Sequence, residues 1–151
     1  MTPMRSVGYL FVVTTTPRSK LPIWVAHPVG MVFALAFALF FATLSDDMVS
    51  NTAPKIALYA VAAVLGPITV LILRFIADRL NLDRRRFVVI ANAGAVTFDG
   101  LFIGLWPNPY GHEGAALANV AALILFGLAA ILIADQIVAV DSLPRTKGNR
   151  S

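Results

Sequence analysis

Residues 115–134 read AALANVAALILFGLAAILIA, a run of twenty residues without one charged side chain. A helix needs about 20 largely apolar residues to cross the hydrocarbon core of a bilayer. A membrane β-strand is not indicated, because the run is too long and lacks two-residue alternation. The stretch therefore predicts a membrane-spanning helix, and the rest of the chain must show whether it is one of several.

The composition of the whole chain points to lipid as its solvent. The protein has 151 residues, of which 58% are hydrophobic and 13% charged, whereas soluble domains average about 45–50% apolar and about 25% charged. A soluble domain of this size would expose large apolar patches. Cysteine is absent, which excludes disulfides, thiolate nucleophiles and cysteine metal ligands.

Three further apolar runs precede this one. Together the four predicted helices cover about residues 23–44, 56–77, 87–106 and 115–138. Short connectors join antiparallel neighbours. The predicted fold class is therefore an all-α integral membrane protein, a four-helix antiparallel up-down transmembrane bundle with both termini cytoplasmic.

The segments that flank the predicted 21–140 membrane domain carry weaker signals. Residues 1–20 are too short in apolar sequence to span and contain Pro17, so they are predicted to be interfacial or disordered. Residues 141–151 are predicted to be a basic cytoplasmic tail. A cleaved signal peptide is the rival interpretation of the first span, but its apolar run exceeds the usual length of about 7 to 15 residues.

Basic residues are concentrated on one side of the predicted bundle. Eleven of the twelve Lys and Arg residues fall in the N-terminal segment, the end of the second span, the RLNLDRRR connector and the tail, and only Lys55 lies elsewhere. The positive-inside rule therefore places both termini in the cytoplasm. The arginine belt, defined as Arg79, Arg84, Arg85 and Arg86, is expected to meet anionic lipid headgroups rather than nucleic acid.

Several polar residues lie near the cytoplasmic ends of the spans. Arg74 and Asp78 are four residues apart and can pair on one helix face. Asp135 lies at a similar depth on the fourth span, so a pair with Arg74 would tie two helices together. Snorkelling of Arg74 into the headgroups is a third alternative. His27, near the start of the first span, is interpreted as an interfacial residue rather than a proton relay.

Asp99 is placed deepest among the acidic residues. It precedes Trp106 by seven residues and so lies about 10 Å below the outer boundary at about 1.5 Å per residue, where an aspartate costs about 2.5 to 3.5 kcal/mol on insertion scales. Its predicted partners by depth are Tyr59 and Thr97, and Asn92 lies deeper. A structural hydrogen bond and a functional proton or ligand site both remain open.

The segment WPNPYG is predicted to end the third helix, because its two prolines cannot continue a helix and Gly111 accepts a positive φ. Trp106 and Tyr110 are predicted to anchor at headgroup level. His112 and Glu113 are interpreted as a solvated loop pair, since a metal site would need further ligands.

Small residues on the third span suggest a helix contact. Gly100 and Gly104, with Ala91 and Ala95 on the same helix, are spaced for close approach to a neighbouring helix. The neighbour is predicted to belong to the same bundle rather than to a second copy.

The sequence FDGLFIGLWPNPYG, residues 98–111, resembles the third-span-to-loop segment of a family of small bacterial four-span membrane proteins known only as a domain of unknown function. The similarity covers mainly residues 73–135, and the first two spans match in hydropathy alone. The resemblance implies the four-span topology and a bacterial cytoplasmic membrane. It implies no activity.

Three classes of function are left. The first is an integral membrane protein acting by association, as an accessory or packing partner of another membrane protein or of its own copies, because the loops are short and no site is complete. The second is a small permease or proton-coupled carrier using Asp99, weakened by the lack of an inverted repeat. A membrane-embedded enzyme is weakest, because no nucleophile–base or metal constellation is present. No cofactor is expected.

Overall fold

The computed structural model describes residues 21–141 of the chain. Every regular element within this range is helical. In order, the chain forms a 3₁₀ turn (Ile23–Val25), α1 (Ala26–Ala42), α2 (Asp46–Ser50), α3 (Thr52–Arg79), α4 (Arg84–Leu105), a second 3₁₀ turn (Asn108–Tyr110) and α5 (Gly114–Asp141). The predicted N-terminal segment and the part of the predicted tail beyond residue 141 lie outside the described residues.

Four helices are long enough and apolar enough to cross a membrane, which confirms the all-α class and the predicted number of apolar helices. They cover Ile23–Ala42, Thr52–Arg79, Arg84–Leu105 and Gly114–Ala139. The third begins three residues before its apolar run because the Asp83 carboxylate accepts a 2.8 Å hydrogen bond from the backbone N–H of Arg86 and so caps α4. The five-residue α2 is too short to be recognised from hydrophobic periodicity.

The reversal between α3 and α4 is compact. Asn81 has a left-handed backbone with φ 54°, and the Leu82 N–H donates to the Ala77 carbonyl at 2.9 Å. A left-handed residue just past the last turn satisfies carbonyl groups that a helix end leaves free. The RLNLDRRR connector therefore contains both the end of α3 and the first turn of α4.

The long helices do not pack evenly around a common axis. α1 packs mainly against α4, and α3 packs mainly against α5, while α4 also contacts both α3 and α5. α1 and α3, which are neighbours in sequence among the long helices, hardly touch each other. The bundle is therefore closed on the α4 side and open between α1 and α3.

The contact between α1 and α4 depends on two glycines. A Cβ on Gly30 would collide with the backbone of Ala91, and a Cβ on Gly94 would collide with the backbone of His27. These backbones touch only because neither glycine has a side chain, as at small-residue contacts between membrane helices. The close pairing of α1 with α4 therefore explains how α1 is held although it scarcely contacts α3.

The predicted role of Gly100 and Gly104 inside the bundle is wrong. Ala91 and Ala95 are buried, but a Cβ on either Gly100 or Gly104 would meet nothing within 4 Å. Nine residues separate Ala91 from Gly100 and Ala95 from Gly104, which is two and a half turns at about 3.6 residues per turn. The two glycines therefore lie on the opposite face of α4.

Buried apolar side chains form two clusters. One contains residues of α1, α4 and α5 together with Val49 of α2 and Tyr110 of the second 3₁₀ turn. The other gathers Ala26, Leu73, Phe87 and further residues of α3, α4 and α5. Polar Asn92 and Asp99 lie on α4 among these buried residues, so they require a separate account.

Candidate functional site

Asp99 is buried on α4 and is hydrogen-bonded to a loop tyrosine. Its residue surface is 7% exposed, and its Oδ1 accepts a 2.6 Å hydrogen bond from the Tyr110 hydroxyl. Tyr110 is completely buried. Burial, followed by the bond to the Asp99 carboxylate, raises the pKa of Tyr110 far above its usual range. Tyr110 therefore stays protonated and remains a hydrogen-bond donor to Asp99.

The turn after α4 brings Tyr110 back to its own helix. α4 ends at Leu105, and the prolines of WPNPYG prevent its continuation. The second 3₁₀ turn is closed by a 3.1 Å bond from the Gly111 N–H to the Asn108 carbonyl, and Gly111 has the left-handed φ of 69°. The turn thus places the Tyr110 ring in the core, within reach of Asp99.

The prediction of Tyr110 as a headgroup anchor is therefore wrong, and so are the predicted partners of Asp99. Tyr59 lies edge-on to Phe126, with ring centroids 5.0 Å apart. Thr97 donates a 2.9 Å bond to the Ala93 carbonyl of its own helix and is exposed. Depth along a helix did not identify the partner, because a chain reversal can return a loop side chain to the same depth.

A cavity of about 100 Å³ lies among the four long helices. Its walls are apolar over most of their area, with four phenylalanines from α1 and aliphatic side chains from α3 and α5. Three polar residues complete the lining: Thr69, Asn92 and Asp99. An apolar lining with a few polar groups is typical of small-molecule sites, whose volumes are usually larger, at about 300–1,000 Å³.

Asn92 carries an unsatisfied polar atom in this cavity wall. The residue is 7% exposed, and its Oδ1 has no hydrogen-bond partner among the residues that the structure describes. Leaving a buried acceptor unpaired costs about 1 to 3 kcal/mol. The fold therefore places a side-chain amide at the cavity wall and leaves its oxygen without a described partner.

Thr69 gives the cavity no free donor. Its hydroxyl donates a 2.9 Å hydrogen bond to the Leu65 carbonyl one turn earlier on α3. Only its oxygen lone pairs are left for another molecule. None of the described residues that line the cavity carries a positive charge.

The cavity reaches the outer surface of the bundle between α1 and α3. Phe40 of α1 and Val61 of α3 both line it, and they are also 45% and 48% exposed. These two helices hardly touch, so their side chains face each other across a gap. We call this gap the α1/α3 seam, and define it by Phe37 and Phe40 on α1 with Leu58 and Val61 on α3.

Arg74 and Asp135 form the buried ion pair that was one of the sequence alternatives. Arg74 Nε and Nη2 lie 2.8 and 2.6 Å from Asp135 Oδ1, and Nη2 also donates to the Asp135 carbonyl at 3.0 Å. Asp135 is 1% exposed. The pair joins α3 to α5. Asp135 Oδ2 has no partner within the described range of the chain.

The arginine belt is partly engaged within the chain. Arg84 forms two bonds with the Asp78 carboxylate, of 2.5 and 2.8 Å, so Asp78 pairs across the turn and not with Arg74. Arg85 donates to the Gln136 side-chain carbonyl at 3.0 Å. The Arg79 guanidinium lies 4.9 Å from the Phe75 ring centroid. These side chains are exposed, and the belt faces outward.

His112 is not part of a solvated pair, which corrects the sequence interpretation. It is buried, with Nδ1 2.6 Å from Asp46 Oδ1 and Nε2 3.0 Å from the Phe41 carbonyl oxygen. Both partners are acceptors, so both contacts are hydrogen bonds only when both ring nitrogens carry protons. His112 thus links the loop before α5 to both α1 and α2.

His27 is half-buried at the start of α1, and its backbone lies against Gly94. It is not among the residues that line the cavity. No group of three His, Asp or Glu side chains among the described residues is arranged to hold a metal ion. Asp99, Asn92 and Thr69 are therefore the polar residues that the fold brings together at a candidate site, while Tyr59, Arg74, Asp135 and His27 lie apart.

Comparison with known proteins returned no match to this chain among protein-family models, curated proteins or solved structures.

Proposed function

We propose that the chain is a multi-pass protein of a bacterial cytoplasmic membrane, built as a four-helix antiparallel up-down bundle with both termini in the cytoplasm. Tyr59 meets Phe126 and Arg74 meets Asp135, which supports α3 and α5 running in the same direction, as alternate helices do in such a bundle. The one-sided distribution of basic residues supports the orientation. Anionic lipid headgroups are then the partners of the arginine belt.

Reporter fusions test this topology. Fusions after Ser45 and Gly111 are expected to be active only with reporters that work outside the cytoplasm. Replacing the four belt arginines with glutamine is expected to give mixed insertion, because the charge bias that orients the helices is reduced. A cytoplasmic signal at Ser45 or Gly111 would contradict the four-span topology.

Within the membrane, the protein acts as a small permease, a proton-coupled carrier that uses Asp99, and not as an enzyme. One observation carries this proposal: a buried carboxyl and an unsatisfied amide line a single cavity that opens to the side between α1 and α3. Ionisable residues inside a membrane typically mark substrate paths or proton relays. Sequence alone favoured association, because the loops are short and no site is complete.

The bond from Tyr110 assigns different tasks to the two oxygens of Asp99. Oδ1 accepts the tyrosine hydroxyl hydrogen at 2.6 Å in either protonation state of the carboxyl. Oδ2 is then the atom at which a proton is bound and released. Tyr110 orients the carboxyl and stabilises its charged form, so it is a positioning residue for the proton step.

Proton movement in proteoliposomes tests the carrier function. Vesicles that contain the purified protein and an internal pH indicator are exposed in turn to a panel of lipophilic amines, alcohols and carboxylates. We expect at least one compound to drive a pH change that Asp99→Asn abolishes and that the exposed control Asp47→Asn retains. The proposal fails if no compound moves protons faster through the parent protein than through Asp99→Asn.

Association within the membrane is the second candidate, favoured by a specific observation. Gly100 and Gly104 face away from the bundle, and no described atom occupies the space a Cβ would take at either. Small residues on an outer helix face permit close approach of another helix. A second copy or another membrane protein can pack there, and Gly100→Leu should lower the oligomer fraction in mild detergent if it does.

A further inference from the structure

The cavity has a chemical character that narrows what it binds. Asp99 presents a carboxyl oxygen that Tyr110 does not occupy, and Asn92 adds a side-chain amide with an oxygen acceptor and N–H donors. The Thr69 hydroxyl hydrogen is already donated to its own helix. A matching ligand must therefore donate a hydrogen bond at Asp99, whereas a group that bonds to the Asn92 amide can donate or accept.

The charges in the cavity lining also favour a ligand that donates a hydrogen bond at Asp99. Asp99 is the acidic residue in the lining, and no cationic side chain of the described lining faces it. An ionised carboxyl in such surroundings requires a counter-charge, whereas an anionic ligand would be repelled. Aromatic rings on α1, including Phe33, Phe37 and Phe41, line the same space, and ring faces attract cations.

The two polar side chains are separated along one helix. Asn92 and Asp99 are seven residues apart on α4, which places them on nearly the same face and about 10 Å apart along the axis. Ala95 also lines the cavity. One nitrogen cannot bond to both side chains, so a ligand that contacts both must be elongated and carry a second polar group.

The route of entry defines the rest of the ligand. The cavity opens at the α1/α3 seam, whose side chains are apolar. A molecule that passes between them must first dissolve in the surrounding lipid. The cavity of about 100 Å³ is smaller than the about 150 Å³ that holds one benzene molecule, so a ligand with an aromatic ring and a short chain must extend into the seam.

We propose that the cavity binds a lipophilic amine, which enters through the α1/α3 seam as the neutral base, takes the proton of Asp99 and pairs the resulting ammonium group with the carboxylate, while a second polar group about two helical turns away hydrogen-bonds to the Asn92 amide. This inference rests on the proposed small-molecule site and names its ligand class. When the amine is absent, the proton stays on Asp99, so the carboxyl is neutralised either by its own proton or by the ammonium group.

A series of four related ligands tests this inference on the unmodified protein. The probes are 4-phenylbutylamine, the neutral 4-phenylbutanol, the anionic 4-phenylbutyrate, and 4-(4-aminobutyl)phenol, whose added hydroxyl extends toward Asn92. Binding is measured in nanodiscs, with empty nanodiscs correcting for partition into lipid. We expect 4-phenylbutylamine to bind at least about tenfold more tightly than the alcohol, the carboxylate to bind weakest, and the hydroxyl to add about fivefold, as expected for one hydrogen bond.

Two variants assign the preferences to their residues. Asp99→Asn should remove the advantage of the amine over the alcohol, and Asn92→Leu should remove only the gain from the added hydroxyl. Asp47→Asn is the exposed control and should change neither ratio. Equal binding of amine and alcohol by the parent protein, or tighter binding of the carboxylate, would overturn the inference without requiring any variant to fold.

The outcome is separable from that of the carrier proposal. Selective amine binding without proton movement in vesicles would retain this ligand class and remove the carrier function. Proton movement driven by alcohols or carboxylates alone would retain a carrier and remove the amine.

Discussion

The protein contains two buried aspartates whose surroundings differ in one respect. Asp135 faces the guanidinium of Arg74 at 2.6 Å, so its charge is balanced by an opposite charge on another helix. Asp99 faces the neutral hydroxyl of Tyr110, also at 2.6 Å, and a cavity. The first arrangement fixes a charged carboxylate in place. The second holds the carboxyl by one oxygen and leaves its charge to be balanced by a proton or a ligand.

Breaking the Arg74–Asp135 pair is expected to have the largest effect on stability. Arg74→Leu leaves the buried Asp135 without a counter-charge, which typically costs about 3 to 5 kcal/mol when one partner of a buried pair is removed. The double variant Arg74→Leu with Asp135→Leu should recover most of that loss. Reversible unfolding in mixed micelles measures both. A double variant as unstable as the single one would show that the loss comes from packing.

Asp99 is expected to contribute less to stability than Asp135. Asp99→Leu leaves the Tyr110 hydroxyl unpaired and should cost about 1 to 2 kcal/mol. Asp99→Asn keeps an acceptor for Tyr110 and should unfold almost as the parent does, while losing proton movement. The same unfolding assay and the vesicle assay separate these effects. If Asp99→Leu were as stable and active as the parent, Asp99 would have neither role.

Tyr110→Phe is expected to lower the free energy of unfolding by about 0.5 to 1.5 kcal/mol, the net value of one hydrogen bond. It should also change how the stability of the protein depends on pH. The folded pKa of Tyr110 is raised by burial and by the Asp99 carboxylate. Stability from this group is complete below the unfolded tyrosine pKa of about 10 and falls as pH rises above it, because only the unfolded chain then releases the proton. Unfolding titrations between neutral pH and about pH 11 should show a decline in the parent that is smaller in Tyr110→Phe. Identical slopes would contradict the buried tyrosine.

Breaking the exposed Asp78–Arg84 pair is expected to have the smallest effect on stability. Its bonds of 2.5 and 2.8 Å are about as short as those of the buried pair, but both side chains are exposed to solvent. Exposed pairs contribute little because water and ions screen them. Asp78→Asn should leave the unfolding curve unchanged. A loss comparable with that of Arg74→Leu would show that bond length, and not burial, sets the value of these pairs.

The sequence offered the Arg74–Asp135 pair as one of several alternatives but did not offer Tyr110 as the partner of Asp99, for a physical reason. Arg74 and Asp135 both lie within apolar helices, so hydrophobic length alone placed them at one depth. Tyr110 lies beyond the end of α4, where a tyrosine usually anchors in the headgroups. Only the reversal that ends at Gly111 turns its ring inward. The contacts of His112 were missed likewise, because Asp46 at the start of α2 and Phe41 near the end of α1 lie 66 and 71 residues away in the sequence.

The cavity itself lay beyond sequence reasoning. Apolar spans predict that helices exist and that they assemble, but not which pairs touch. Gly30 and Gly94 allow α1 to pack closely against α4, and the α1/α3 seam remains open as a result. The one indication of this contact in the sequence was Gly94, a small residue on the same helix as Asn92 and Asp99. Its partner Gly30 can be recognised only once the helix pairing is known.

Infrared difference spectroscopy tests most directly the central claim that Asp99, and not Asp135, exchanges a proton within a ligand cavity. The protein in lipid is perfused with 4-phenylbutylamine, and the carbonyl stretch of protonated carboxyl groups is recorded. We predict that the amine removes a protonated-carboxyl band in the parent and in Asp47→Asn, and that Asp99→Asn lacks this band. A spectrum unchanged by the amine, or a band lost equally in Asp99→Asn, would contradict the account.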